Sequence, residues 1–141
     1  MANLTSLLAT SLLLAKTSPK EAKCMEKSDL RQRAKDLAIK IFAVCDNIDT
    51  KKGRGVLVNQ IIRSSTSIGA NLHEANYGAS KADFINKLQI ALKECYETEY
   101  WIDMLQSVGC ITDETKNELL QDCGVIRRML VKSITTAKSN N

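Results

Sequence analysis

From Leu30 onward apolar residues recur every third or fourth position, the repeat of helices that bury one face. Leu30, Ala34, Leu37, Ala38, Ile41, Phe42, Cys45 and Ile48 make the first stripe. Ser28 precedes it as an N-cap with Asp29 in the first turn, so the spacing predicts a helix over 29–49. The segment from Thr50 to Gly55 carries KKGRG, breaks the pattern and reads as a loop. Val58, Ile61, Ser65, Ile68, Leu72 and Ala75 then step by 3, 4, 3, 4 and 3. That is a coiled-coil-like seam and predicts a second helix over 55–77, with Gly78 as its C′ residue. Ser80 caps a third helix with Asp83 three residues on. Its seam is Phe84, Leu88, Ala91, Leu92, Cys95, Thr98, Ile102 and Leu105, and it reaches Val108. Gly109 and Cys110 turn the chain. Thr112 caps a fourth helix, with Asp113 and Glu114 in its first turn. Leu119, Cys123, Ile126, Leu130 and Ile134 carry its stripe to Ala137. Long helices joined by short loops predict an all-α fold, an antiparallel up-down-up-down four-helix bundle over residues 28–138, with 139–141 frayed.

The segment RSSTSIGANLHEA, Arg63 to Ala75, tests that reading, because Ser, Thr, Gly and Asn are also the vocabulary of loops. The seam runs straight through it, and the GxxxxGK[ST] pattern of a phosphate-cradling loop is absent. It therefore belongs to the middle of the second helix. Gly69 alone costs that helix of order 1 kcal/mol of propensity. The expected compensation is close approach of neighbouring helices, which small side chains permit.

Residues 1–27 stand apart. Leu4 to Ala15 is apolar and resembles the core of a signal peptide, but no Lys or Arg precedes it. KTSPKEAK, Lys16 to Lys23, reads as a linker. Met25 opens MEKSDLRQRAKDL in the manner of a natural start, so residues 1–27 are expected to be an extension, either an over-extended start or a mobile arm. The chain has 141 residues and no run of eighteen apolar ones, which excludes a membrane-spanning helix. Five cysteines, an odd number without CxxC or Cys/His metal spacing, favour small core hydrophobes and a reducing cytoplasm over disulfides.

RSSTSIGANLHEA followed by SKADFINKLQIALKECYETEYWIDML resembles the signature of a bacterial four-helix-bundle family. That family includes the proteins encoded in intervening sequences of the 23S ribosomal RNA gene. It is also similar to the accessory variability proteins of diversity-generating retroelements. The resemblance covers about residues 28–138. It implies a bundle that assembles into a ring-like homopentamer. For the retroelement accessory proteins it implies binding to RNA and to a reverse transcriptase, and those proteins are strongly basic. The net charge here is +4 for the whole chain, with 20 Lys and Arg against 16 Asp and Glu.

The charge is polarised along the expected bundle. The start of helix one, the turn between helices two and three and the end of helix four share one end. Arg31, Arg33, Lys35, Lys40, Lys81, Lys87, Arg127, Arg128, Lys132 and Lys138 gather there against Asp29, Asp36, Glu74 and Asp83. The other end is acidic. In a ring of parallel subunits the basic ends form a rim that attracts phosphates, with backbone-dominated contact because aromatic residues are scarce. Arg31, Arg33, Lys35, Lys81, Lys87, Arg127, Arg128 and Lys132 are the candidate contacts to RNA, DNA or a reverse transcriptase. The plainer account is solvated faces and basic residues set against a helix C-terminus. A protein-only oligomer is the alternative function.

Other residues read as structural. Antiparallel register sets Arg63 opposite Lys93 to Glu97, so Arg63 is expected to pair with Glu94 or Glu97 and fix the register. Gly69 and Asn71 belong to the assembly segment. Trp101 is expected at a helix or subunit interface, with an intrachain core position equally open. Glu94, Glu97 and Glu99 with His73 and Glu74 do not make a di-metal carboxylate site, because no Glu-x-x-His exists. No nucleophile has an identifiable base, and His73 is the single histidine. The sequence thus points to a non-catalytic protein without metal, cofactor, membrane or small-molecule substrate.

Overall fold

The computed structural model describes residues 18–140, the side chains of 19–28 excepted. The described residues form four helices: α1 (Pro19–Cys45), α2 (Arg54–Ala75), α3 (Lys81–Ser107) and α4 (Asp113–Ser139). The apolar stretch from Leu4 to Ala15 lies outside the described residues.

Helix α1 starts well before the expected cap at Ser28. Proline at a first helical position has no orphan N–H to lose, and PKEAKCMEK contains no breaker after it. Ser28 is therefore an interior helical residue, and the linker reading of Lys16 to Lys23 fails from Pro19 onward. At the other end α1 stops short of residue 49. Asn47 and Ile48 donate to the carbonyls of Val44 and Cys45 (3.2 and 3.0 Å), a tightened last turn. Lys52 (φ 55) and Gly53 (φ 81) then take left-handed conformations and reverse the chain.

The next two turns work differently. Gly78 is not in the left-handed region, so it is not the C′ residue expected of it. A Cβ there would meet Phe84 N and Asp83 Oδ2 at 3.2 Å, and the glycine serves close approach instead. Ser80 caps α3 by accepting from the Asp83 N–H (3.1 Å). Gly109 (φ 72) ends α3 with the two bonds of a Schellman motif. Gly109 donates to Gln106 O (2.9 Å) and Cys110 to Leu105 O (2.8 Å). Thr112 caps α4 through the Thr115 N–H (3.2 Å).

Contacts across the helices fix their directions. Glu74 of α2 meets Lys87 of α3, and Arg63 meets Glu97, so residue numbers rise on one helix as they fall on the other. Asp103 with Lys116 (2.5 Å) and Glu99 with Arg127 (3.0 Å) give the same antiparallel relation for α3 and α4. Lys40 of α1 reaches Glu118 and Asp122 of α4 (2.8 and 2.7 Å) and closes the bundle.

The core is the seam that the periodicity marks. Val58, Ile61, Ser65, Ile68, Leu72 and Ala75 of α2 are all buried, as are Leu119, Cys123, Ile126, Leu130 and Ile134 of α4. Each fully buried Ile or Leu contributes about 1.5–3 kcal/mol relative to exposure. Phe42 departs from the expected stripe and is 45% exposed. Ile41 and Cys45 already occupy the core-facing stripe of α1, and Phe42 falls beyond its edge. Ser64 and Thr98 are completely buried, with the Thr98 hydroxyl 2.9 Å from Ser64 Oγ.

Candidate functional site

Leu30 of α1, Leu72 and Ala75 of α2, Phe84 and Leu88 of α3 and Ser133 of α4 line one small cavity. The turn of α1 around Leu30, the α2–α3 turn and the last turns of α4 therefore meet at one end of the bundle. This brings together the elements that carry the sequence-predicted cations, but those cations are not equivalent. Arg33 pairs with Asp29 (2.9 Å) on its own helix, and Lys87 pairs with Glu74. Arg127 pairs with Glu99 and stacks over the Tyr96 ring (5.6 Å to its centre). Glu99, Glu118 and Asp122, counted with the acidic end, thus reach back to Arg127 and Lys40, which narrows the charge separation.

The remaining candidates have no carboxylate partner within ion-pair distance among the described residues, Lys132 left aside as a further exposed cation of α4. Lys81 donates to the Asn140 carbonyl near the end of α4. Arg128 lies exposed beside the buried Gly124, where a Cβ would meet its Nη1 at 3.4 Å. Arg31 and Lys35, one turn apart on α1, border an open groove of about 480 Å³ between α1 and α2. Gln32, Ala34 and Ala38 of α1 and Thr66, Gly69, Ala70 and His73 of α2 complete its lining, and no carboxylate of the described residues contributes. Sequence reasoning missed Thr66 and His73 as groove residues. The signal was Arg31-x-x-x-Lys35 and Gly69-x-x-x-His73, each one helical turn long, but only the α1–α2 register sets the two side by side.

The structural residues form a separate group. Arg63 lies 3.6 Å from Glu94 Oε2 and hydrogen-bonds Glu97, so it bridges both carboxylates. Trp101 Nε1–H donates to the same Glu97 carboxylate (3.1 Å). The Trp101 bond, together with the Arg63 guanidinium, holds the Glu97 carboxyl below its usual range. Glu94 goes the other way: burial pushes its carboxyl up, against the pull of Arg63. Its Oε2 is buried without a hydrogen bond. Trp101 is half-buried at the edge of the core, with Tyr100 edge-on to it at 4.9 Å. Asn71 folds back on α2, its amide donating to Ser67 O (2.9 Å). Gly69 faces Ala34 across the groove floor, and a Cβ there would sit 3.9 Å from the Ala34 Cβ, an ordinary contact.

The model of one family, the 23S rRNA-intervening sequence proteins, matches residues 26–132. The chain belongs to that family. The match takes in α1 from Glu26, all of α2 and α3, and α4 as far as Lys132. A crystal structure of a protein with unknown function from the S23 ribosomal protein family of Bacteroides thetaiotaomicron is 37% identical in sequence, with a TM-score of 0.74. That likeness covers 78% of this chain and 98% of the other. No protein of curated function matches.

Other polar side chains of this family member are partnered within the bundle. Glu74, Glu97 and Glu99 each engage a basic side chain rather than one another. Among the described residues no three His, Cys, Asp or Glu side chains gather as metal ligands. Cys45, Cys95 and Cys123 are buried free thiols. Burial pushes the Cys45 thiol up to about 11, and contact with Cys95 together with burial raises Cys123 as well, so neither is a ready nucleophile. No described helix is long and apolar enough to cross a membrane.

Proposed function

We propose that the protein is a non-catalytic homo-oligomeric scaffold, a homopentamer in the cytoplasm, whose basic end holds RNA or DNA or a reverse transcriptase that handles them. The observation that carries this reading is the set of cations at one end of the bundle without carboxylate partners among the described residues: Arg31, Lys35, Lys81 and Arg128. Cations already neutralised inside a fold add little to the attraction of phosphates, whereas unneutralised ones release counterions when a phosphate arrives. Helical packing and the family resemblance support assembly.

Size-exclusion chromatography with light scattering and absorbance at two wavelengths, at low and then high salt, tests the reading. A five-subunit mass carrying nucleic acid that salt strips away is the expected result. A monomer overturns the assembly, and an oligomer free of nucleic acid at low salt overturns the rim. Substituting Lys81→Glu, Arg128→Glu and Lys132→Glu together should abolish partner binding and leave the oligomer intact.

One observation favours a protein-only partner instead. Tyr96 and Tyr100 stand half-exposed one turn apart on α3 (51% and 56%), with Trp101 beside them. Clustered aromatics of this kind anchor protein interfaces. Binding that survives high salt and fails on Tyr100→Ala would select that reading.

A further inference from the structure

We infer that the groove between α1 and α2 is the seat of a single-stranded nucleic-acid backbone, an assignment that rests on the nucleic-acid reading above and gives it a location. Three observations converge on the groove. It is concave and open along the bundle, so a polymer can lie in it. Its polar border carries the cations Arg31 and Lys35 and the Gln32 amide on the α1 side and His73 on the α2 side, while the Thr66 hydroxyl donates to the Ile62 carbonyl of its own helix (2.7 Å). Among the described residues no acidic side chain lines it, and neither Arg31 nor Lys35 forms an ion pair with one. At the same end Arg33, Lys40, Lys87 and Arg127 are taken up by Asp29, Glu118, Glu74 and Glu99, whereas Arg31 and Lys35 stand together on one groove without such a partner among the described residues.

The dimensions agree. Residues 31 to 38 span about 10 Å along α1 at 1.5 Å per residue. Arg31 and Lys35, four residues apart, are about 6 Å apart along the helix axis, so the pair can meet neighbouring phosphates of one strand. Arg31 offers a planar fork suited to phosphate oxygens, and Lys35 one turn on offers a point charge. The floor is made by Ala34, Ala38, Gly69 and Ala70, which lets a sugar lie against the helices. Glycine at 69 is not needed for packing inside the chain, since a Cβ there has room. Its missing side chain does deepen the groove.

The test is fluorescence anisotropy with a labelled oligouridine RNA, a labelled oligothymidine DNA and a duplex of equal length, each over a range of salt. The variants are Arg31→Ala with Lys35→Ala, which removes the charges, and Ala70→Phe, which fills the groove from an exposed position. Lys51→Ala with Lys93→Ala, at exposed sites away from the groove, is the charge-matched control. Circular dichroism and light scattering verify folding and mass. If the groove is the seat, the Arg31/Lys35 variant lowers the slope of log affinity against log salt by about 1.4, two single-strand contacts at roughly 0.7 each. Ala70→Phe weakens single-strand binding with that slope unchanged, and the control does neither. Equal affinity for RNA and DNA marks recognition of the shared phosphates, and a preference for RNA adds contact with the 2′-hydroxyl. If Arg31/Lys35 behaves like the control and Ala70→Phe binds normally, the groove assignment is overturned while the rim stands. If Ala70→Phe changes the oligomer mass without affecting RNA, the groove is a self-association surface and the assignment fails. If the wild-type protein binds no probe, the underlying nucleic-acid reading fails with it.

Discussion

Helix α2 carries small residues on two faces, and the two faces are used in opposite ways. Toward α3, Ser64 is completely buried against Thr98, with Arg63 reaching Glu94 and Glu97 beside them. Small side chains there bring two backbones together. Toward α1, Gly69 and Ala70 line an open groove, and a Cβ at 69 would touch only Ala34 at 3.9 Å. Small side chains there keep two helices from filling the space between them. The same residue types on one helix thus close one interface and hold another open.

Substitutions separate the two faces. The largest effect is expected at the closed one. Ser64→Leu should destabilise by about 2 kcal/mol through overpacking, read from the urea midpoint. At the open face Gly69→Ala should stabilise by about 1 kcal/mol, because the helix gains propensity and meets no clash. A loss of stability at 69 would mean that the groove is shut in solution. Glu94→Gln should raise stability at pH 7 by about 0.5 kcal/mol, since it removes the charge from a carboxylate whose burial penalises the ionised form. The folded carboxyl of Glu94 titrates above its unfolded range, so its charge costs stability above that raised value. The gain from Glu94→Gln should therefore fade as pH falls through it.

Arg63 and Glu97 should give the smallest effect, about 0.3–0.5 kcal/mol of coupling in a double-mutant cycle, because both side chains are partly exposed. Here the sign of the pH dependence reverses. Glu97 is held below its unfolded range, so its contribution is present above that range and lost as pH falls through the depressed folded value. Coupling that persists in strong acid would remove Arg63 from the role of register pin.

Much of this contrast was half-legible in the sequence. The α2 seam could be read except for the buried Ser64, because a buried helix face imposes its period on the residues that make it. Arg63 opposite Glu94 and Glu97 followed from antiparallel register counted outward from the α2–α3 turn. Ser28 misled because a serine followed by aspartate looks the same inside an exposed helix as at a cap, and the helix formers from Lys20 onward carried α1 past it. Phe42 misled because a spacing rule accepts both neighbours of a stripe when only one can face inward. The groove was legible only as two one-turn spacings, Arg31 to Lys35 and Gly69 to His73, that nothing in the sequence sets side by side. Empty space is a relation between two helices, and Arg31, Lys35 and His73 carry no periodicity that joins them. The division of the basic end into paired and unpaired cations was equally hidden, since it depends on which acids stand across from them.

Of the helix pairs described, α1–α2, α2–α3 and α3–α4 each join neighbours in the chain, and α1–α4 is the sparse closing contact, bridged by Lys40. A topology made of adjacent hairpins places little demand on long loop closure. The bundle should consequently refold within milliseconds, with α2 to α4 assembling first and the docking of α1 onto α4 left as the last event.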